Sequence, residues 1–321
     1  MHSLLQYHSG QWGAVLTEVA VVGSLNIDLT SYLDHWPQIG ETVHALKTRI
    51  SLGGKGANQA VAAAKLGARV AMIGATGADS YGQEAAGWLQ EYGVALHLKT
   101  TKAVATGMAF IDVGPNADNM IRLSAGANAT LRASDITAQQ HILSVAKVIL
   151  LQNEIPLEAS LEAARIGRAN GATVVMDPAP APMPFWSSET LEAFDILTPN
   201  AQETQSITGH APKTLQDAEA AAQALRARGV RGSIITMGGA GVAWSIGDDS
   251  GIQPAPRVKV VDTVAAGDCF NGAFAAALAC GHTVAQAIER AVIAASLATT
   301  REGAADSIPS LDELAAAMVR S

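Results

Sequence analysis

The sequence predicts an α/β protein, a mostly parallel sheet covered by helices on both faces, with a small β-sheet lid. Three observations carry this. Near-continuous apolar runs at 18–23, 69–74, 147–151, 172–176, 195–197 and 233–237 read as strands buried on both sides. Ala-rich stretches of helical period alternate with them, at 57–66, 82–92, 157–169, 215–228 and 285–300. Two segments, near 29–50 and 105–123, instead alternate polar and apolar residues. They are expected to form short antiparallel strands outside the main sheet, as a lid; an edge extension of that sheet is the alternative.

The composition allows one large core. Of 321 residues, 49% are hydrophobic and 16% charged, with a net charge of -8. A nucleic-acid surface needs a basic footprint, which this balance does not supply. No apolar run reaches membrane-spanning length. Residues 1–13 lack a basic stretch followed by an apolar one, so no signal peptide is expected, and 1–17 read as an N-terminal arm to an 18–321 domain. The two cysteines, Cys269 and Cys280, fall on one expected helix. That places them about 16 Å apart, too far to pair, and a reduced, cytoplasmic setting follows.

In chain order, the first strand runs into Gly23-Ser24-Leu25-Asn26-Ile27-Asp28. A dinucleotide fold would carry G-x-G-x-x-G here, and it is absent. Asn26 and Asp28 instead share one face, an amide and a carboxylate suited to a polyol or to a solvated turn. Gly53-Gly54-Lys55-Gly56-Ala57-Asn58 opens a helix, and its glycines permit a close ligand or a plain tight turn. It is no Walker A loop, because Gly56 follows Lys55. Glu154 lies at a strand's carboxyl end. Asn200 and Glu203, three apart at a helix start, suit a water-held Mg²⁺ or a capping box. Thr236 to Gly241 is a glycine turn open to a nucleotide, or a hairpin turn. The histidines show no zinc spacing.

The most informative stretch is 261–272. A β-branched run leads to Ala265, Ala266 and Gly267, then Asp268, then Phe270, Ala273, Phe274, Ala277 and Leu278 at helical spacing, with Gly281 as a stop. Small residues at a helix N-terminus leave its N–H groups open to an anion. Asp268 stands beside them as a base. An anion cradle with an adjacent carboxylate is what phosphoryl transfer to an alcohol requires. The dipole at that terminus favours an ionised, weakly basic Asp268.

These motifs, in this order from about Val19 to Pro309, resemble the ribokinase-like family of carbohydrate kinases. The 53–60 and 261–272 runs are the most specific, and 124–129 and 177–181 match as well. The resemblance implies ATP-dependent phosphorylation of D-ribose at its 5-hydroxyl, with kinases of deoxyribose, fructose or a nucleoside as alternatives. A dehydrogenase or a non-catalytic sugar-binding regulator are rivals from other classes. Asn26, Asp28, Gly54, Lys55, Asn58 and Glu154 would hold the sugar, with Asp268 as base and Ala265, Ala266 and Gly267 as anion hole. Asn200, Thr236, Gly238, Gly241 and Gly267 would bind ATP, with Mg²⁺ linked to Asn200 and Glu203. Asp262, Val264, Ala298, Arg301, Gly303 and Ser307 would bind an activating K⁺. The family's lid also implies a homodimer. Two departures stand out. Ala265 replaces a common Gly, which leaves the anion hole intact if its φ is negative. Cys269 replaces a more usual Thr, which would make the site sensitive to thiol reagents.

Overall fold

The computed structural model describes residues 17–116, 118–184 and 186–319. The arm expected at 1–17 therefore lies outside them except for Thr17. In chain order the strands are β1 (Val19–Val22), β2 (Asn26–Tyr32), β3 (Lys47–Gly53), β4 (Val70–Gly77), β5 (Ala95–Thr101), β6 (Gly107–Val113), β7 (Asn119–Ser124), β8 (Val148–Gln152), β9 (Thr173–Asp177), β10 (Ile196–Leu197), β11 (Gly232–Thr236), β12 (Gly241–Ile246) and β13 (Asp249–Pro254).

Nine of them form the main sheet, in the order β13-β12-β11-β10-β9-β8-β1-β4-β5. Every pairing from β11 across to β5 is parallel; β12 and β13 add an antiparallel edge. The central strand β1 is apolar throughout because both its faces are covered. Along β1, Val19 and Val21 enter one core and Ala20 and Val22 the other. On the first face lie the helices Lys55–Lys65, Ala266–Ala279 and Val284–Ala298; on the second lie Leu157–Ala169 and Leu215–Arg226. The carboxyl ends of β1, β8 and β9 and the N-termini of the helices Lys55–Lys65 and Ala266–Ala279 meet at one place, where ligands sit in such sheets.

The lid is a separate four-stranded sheet, β3-β2-β6-β7. It is not wholly antiparallel as expected: β2 and β6 run parallel, with Asn26 opposite Gly107 and Asp28 opposite Ala109. Within 29–50 only the two ends are strand, and 33–46 carries none. Asn26 and Asp28 open β2 of the lid and do not end the main sheet's first strand, which stops at Val22.

Candidate active site

Glycines make room for the polar residues that gather at the base of the lid. A Cβ at Gly53 would fall 1.8 Å from the Asp28 carboxylate, and one at Gly107 would fall 2.2 Å from Asn26 Oδ1. Gly54 has φ 88 and lies against the backbone of Ser24 to Asn26, so only glycine fits there. The helix that follows it has no side-chain cap. Its first N–H, of Lys55, donates to Glu154 Oε2 at 3.1 Å, and the same oxygen accepts from Ser24 Oγ at 2.5 Å. Asn26 Oδ1 accepts from Asn128 Nδ2 at 2.8 Å, and Asn128 also grips the backbone of Leu25. A cleft of about 400 Å³ runs from Asn26 and Glu154 to Leu123 on the lid.

Asp268 is 5% exposed. Its Oδ2 accepts from Asn58 Nδ2 at 3.2 Å and its Oδ1 from Gln59 Nε2 at 3.1 Å. Asn58 Oδ1 is buried without a partner among the described residues, an acceptor left over for a hydroxyl. Burial raises the Asp268 carboxyl above its ordinary value, while Lys55, Gln59 and Asn58 pull it back. The sequence-based view of a weak base set by the helix dipole is thereby corrected: desolvation dominates and makes it more basic. Burial likewise pushes Asp28 up to about 7, with Glu154 and Asp268 adding to it. For Lys55, burial alone would favour the neutral amine, but Asp268, Asp177, Glu154 and Glu203 together hold it above its ordinary value and charged.

The helix Ala266–Ala279 also starts without a side-chain cap. Elsewhere in the chain Asn200, Thr214, Thr283 and Ser310 fill that role. Ala266 N–H turns back to Thr263 O at 3.3 Å. Among the described residues, no acceptor takes up the N–H of Gly267 or Asp268, so these two point out as an open anion cradle. Ala265 has φ 57 and ψ 13, the left-handed region, against the expected negative φ. It is the one non-glycine with positive φ among the described residues, and the turn it makes directs the chain into the helix. At Gly267, by contrast, a Cβ would meet nothing within 4 Å and φ is not left-handed, so neither packing nor backbone demands glycine.

On the other side of Asp268, Asn200 and Glu203 do form the capping box. Asn200 N–H and Nδ2 donate to the two oxygens of Glu203, at 2.8 and 2.9 Å, while Asn200 Oδ1 caps Gln202 and Glu203. Burial raises the Glu203 carboxyl. With both its oxygens already accepting, this pair fits Mg²⁺ held through water or phosphate better than direct ligation. Thr236 bridges to Asn200 at the end of β11. Gly238 (φ 54) and Gly241 (φ 115) shape the turn into β12, so the hairpin reading holds, and Gly238 has open space beside its Cα.

The candidate K⁺ residues lie on two adjoining loops. Asp262 ties them together, its Oδ1 accepting from Val264 N–H and its Oδ2 from Gly303 N–H, both at 2.9 Å. The Ala298 carbonyl ends its helix and accepts from Arg301 N–H; Ser307 Oγ donates to Ala304 O. The Arg301 guanidinium turns away to Glu313 at 2.6 Å, while the Arg49 guanidinium lies against Gly303. Cys269 corrects another expectation. It is fully buried, and burial pushes its thiol up to about 12, so it offers no reactive thiolate.

Four contributors were given no role in the sequence reading: Gln59, Asn128, Gln152 and Asp177, although the runs 53–60, 124–129 and 177–181 contain three of them. Gln59 Nε2 donates to Asp177 Oδ2 at 2.9 Å as well as to Asp268, and Gln152 Nε2 donates to Gln59 Oε1 at 2.7 Å. The available signal was a polar residue on an otherwise buried helix face, since Gln59 lies among Ala57, Ala60 and Val61.

The pfkB family carbohydrate kinase profile matches residues 16–311. The chain is 38% identical to a ribokinase of Haemophilus influenzae over 92% of its own length and 96% of the relative's. It is 35% identical to a deoxyribokinase of Salmonella typhi, over 92% and 97%. Among solved structures, Arabidopsis thaliana ribokinase complexed with ribose and ATP superposes with TM-score 0.87 at 30% identity, covering 95% of this chain and 99% of that one. Thermotoga maritima ribokinase gives 0.83 at 36%, covering 94% and 99%.

Proposed function

The chain belongs to the pfkB family of carbohydrate kinases, and from that premise we propose that it transfers the γ-phosphoryl group of ATP to the 5-hydroxyl of D-ribose. The observation that carries this reading is Asp268: a buried carboxylate at an uncapped helix N-terminus, bonded to Asn58 of the polar turn. Asn26, Asp28, Lys55, Asn58 and Glu154 hold the ring and its secondary hydroxyls. The primary hydroxyl then faces Asp268, which accepts its proton late in a loose transfer. Gly267 and Asp268 N–H groups, with Ala266 and the turn at Ala265, receive the charge of the transferring phosphoryl. Thr236, Gly238, Gly241 and Asn200 border the nucleotide. Asn200 and Glu203 would hold, through water, the Mg²⁺ that accompanies ATP, and the ion would neutralise phosphate charge.

The loops of Asp262, Val264, Ala298, Arg301, Gly303 and Ser307 would hold a K⁺, a reading supported by the Asp262 tie between them. A homodimer forms through the lid, supported by exposed Ile50, Phe110, Met120, Ile121 and Leu123. The setting is cytoplasmic, supported by two unpaired cysteines. No described helix is long and apolar enough to cross a membrane. A coupled ADP-release assay over ribose, deoxyribose, fructose and adenosine, with Mg²⁺ and K⁺ present, tests the reading. The highest kcat/KM with ribose supports it. A preference for deoxyribose selects the second relative's activity, and no ADP with any acceptor rejects a kinase.

A further inference from the structure

Gln59 is fully buried on a helix whose other buried side chains are, apart from Asn58, apolar. Most buried amide groups find hydrogen-bond partners. Its two amide hydrogens go to two different carboxyl groups, Asp268 Oδ1 at 3.1 Å and Asp177 Oδ2 at 2.9 Å. Its oxygen takes the Gln152 amide at 2.7 Å, which fixes which way the Gln59 group faces. Gln152 and Asp177 end the neighbouring strands β8 and β9 directly opposite each other in register. A rigid part of the main sheet thus reaches, through one amide, the reacting carboxylate on the helix Ala266–Ala279. Asn58, one residue before Gln59 on the same helix, holds the other oxygen of Asp268. Rotation of the carboxylate is therefore blocked from both sides.

We propose that Gln59 and Asp177 form a positioning clamp for the base, in which Asp177 anchors Gln59 and Gln59 sets the orientation of Asp268 toward the acceptor hydroxyl. This rests on the kinase reading above. Asp177 touches no reacting atom in this account and acts only through Gln59. The charged and titratable groups facing it are Lys55 from the helix Lys55–Lys65, Asp268 from the helix Ala266–Ala279, Glu203 from the helix Ala201–Thr208 and Glu154 from the turn after β8. Burial is the main cause that raises Asp177, to about 8, so the clamp carries a neutral acid at neutral pH and gains a charge beside Asp268 above it.

The test is steady-state kinetics of the full chain with ribose, carrying Gln59→Leu, Asp177→Leu or Asp177→Asn, alongside the wild type, with thermal unfolding as the control for folding. Misplacing a reacting group costs on the order of 10–100-fold. That loss is expected in kcat for Gln59→Leu and Asp177→Leu, with the KM for ATP little moved. Asp177→Asn keeps an acceptor oxygen for Gln59, so it is expected to recover most of the kcat that Asp177→Leu loses, and to lose the wild type's alkaline inflection near pH 8. Folded Gln59→Leu with wild-type kcat overturns the clamp. If that variant does not fold, equal kcat for Asp177→Leu and Asp177→Asn overturns it instead. A wild-type enzyme that releases no ADP with any sugar overturns the kinase reading and the clamp together; an active wild type with undisturbed variants overturns the clamp alone.

Discussion

Asn58 Nδ2 donates to Asp268 Oδ2 at 3.2 Å, across 210 positions of sequence. The glycine-rich turn and the uncapped helix are thereby joined at the proposed base. In the proposed reaction the sugar side of the site and the phosphate side share this bond.

Replacing Asn58 by Ala removes that bond and the buried Oδ1 acceptor. Losing partners for buried polar groups costs about 1–3 kcal/mol, so kcat/KM for the sugar is expected to fall on the order of 10–100-fold. Titration of both substrates checks this: the KM for ATP stays near the wild-type value.

Gly267→Ala separates function from folding. A Cβ there meets nothing in the protein and the backbone tolerates it. The melting temperature is expected to be unchanged or raised, since Gly within a helix costs roughly 0.5–1 kcal/mol relative to Ala. The added methyl crowds the open N–H groups, and kcat/KM for ATP is expected to drop by about 10-fold or more. Melting curves and ATP kinetics on the same preparation decide it.

Ala265 makes the opposite case. A left-handed conformation costs an L-residue roughly 1–2 kcal/mol, while Gly at the position adds unfolded-state entropy worth about 0.4–1 kcal/mol. Ala265→Gly is expected to stabilise the protein slightly and keep its activity, and Ala265→Val to lose both stability and turnover. Paired melting and rate measurements test the two substitutions.

The stability of the ligand-free protein carries a pH signature of the site. Burial raises Asp28 to about 7 and Asp177 to about 8. A carboxyl raised on folding binds more protons folded than unfolded, so stability falls as pH climbs from the ordinary carboxylate value to the raised one. Glu162 and Glu313 act in reverse. Hydrogen bonds led by Arg165 and Arg301 hold each down at about 2, so their support is present above about 4.5 and lost toward 2. Glu313 is exposed and Glu162 half-buried, and solvent screens the share of Glu313 most. The melting temperature is expected to peak near pH 5 and decline toward pH 8, with a shallower decline in Asp177→Asn.

Much of the fold was legible because it rests on local pattern. The run 19–22 is buried on both sides and apolar at every position, as central parallel strands are. The edge strands β5 and β13 were not read; Ala95–Thr101 and Asp249–Pro254 are mixed in polarity because one side faces solvent. The parallel β2–β6 pairing joins segments about eighty positions apart, and alternation does not specify direction. At the site, Asp268 and the Gly53–Asn58 turn announce themselves by glycines and a helix start. Gln59, Gln152 and Asp177 do not, because each looks ordinary alone and gains meaning only from contacts spanning 93 and 118 positions. Asn200 and Glu203 form a capping box, and spacing could not separate that from an oxygen-rich pair suited to Mg²⁺.

The most direct test of the central claim is Asp268→Asn, which keeps the shape and removes the base. Turnover with ribose and ATP is measured together with ATP binding on the same sample. General-base catalysis contributes about 100–10,000-fold, so kcat is expected to fall by that order while ATP still binds with near wild-type affinity. Near-normal turnover in a folded Asp268→Asn protein would contradict the account.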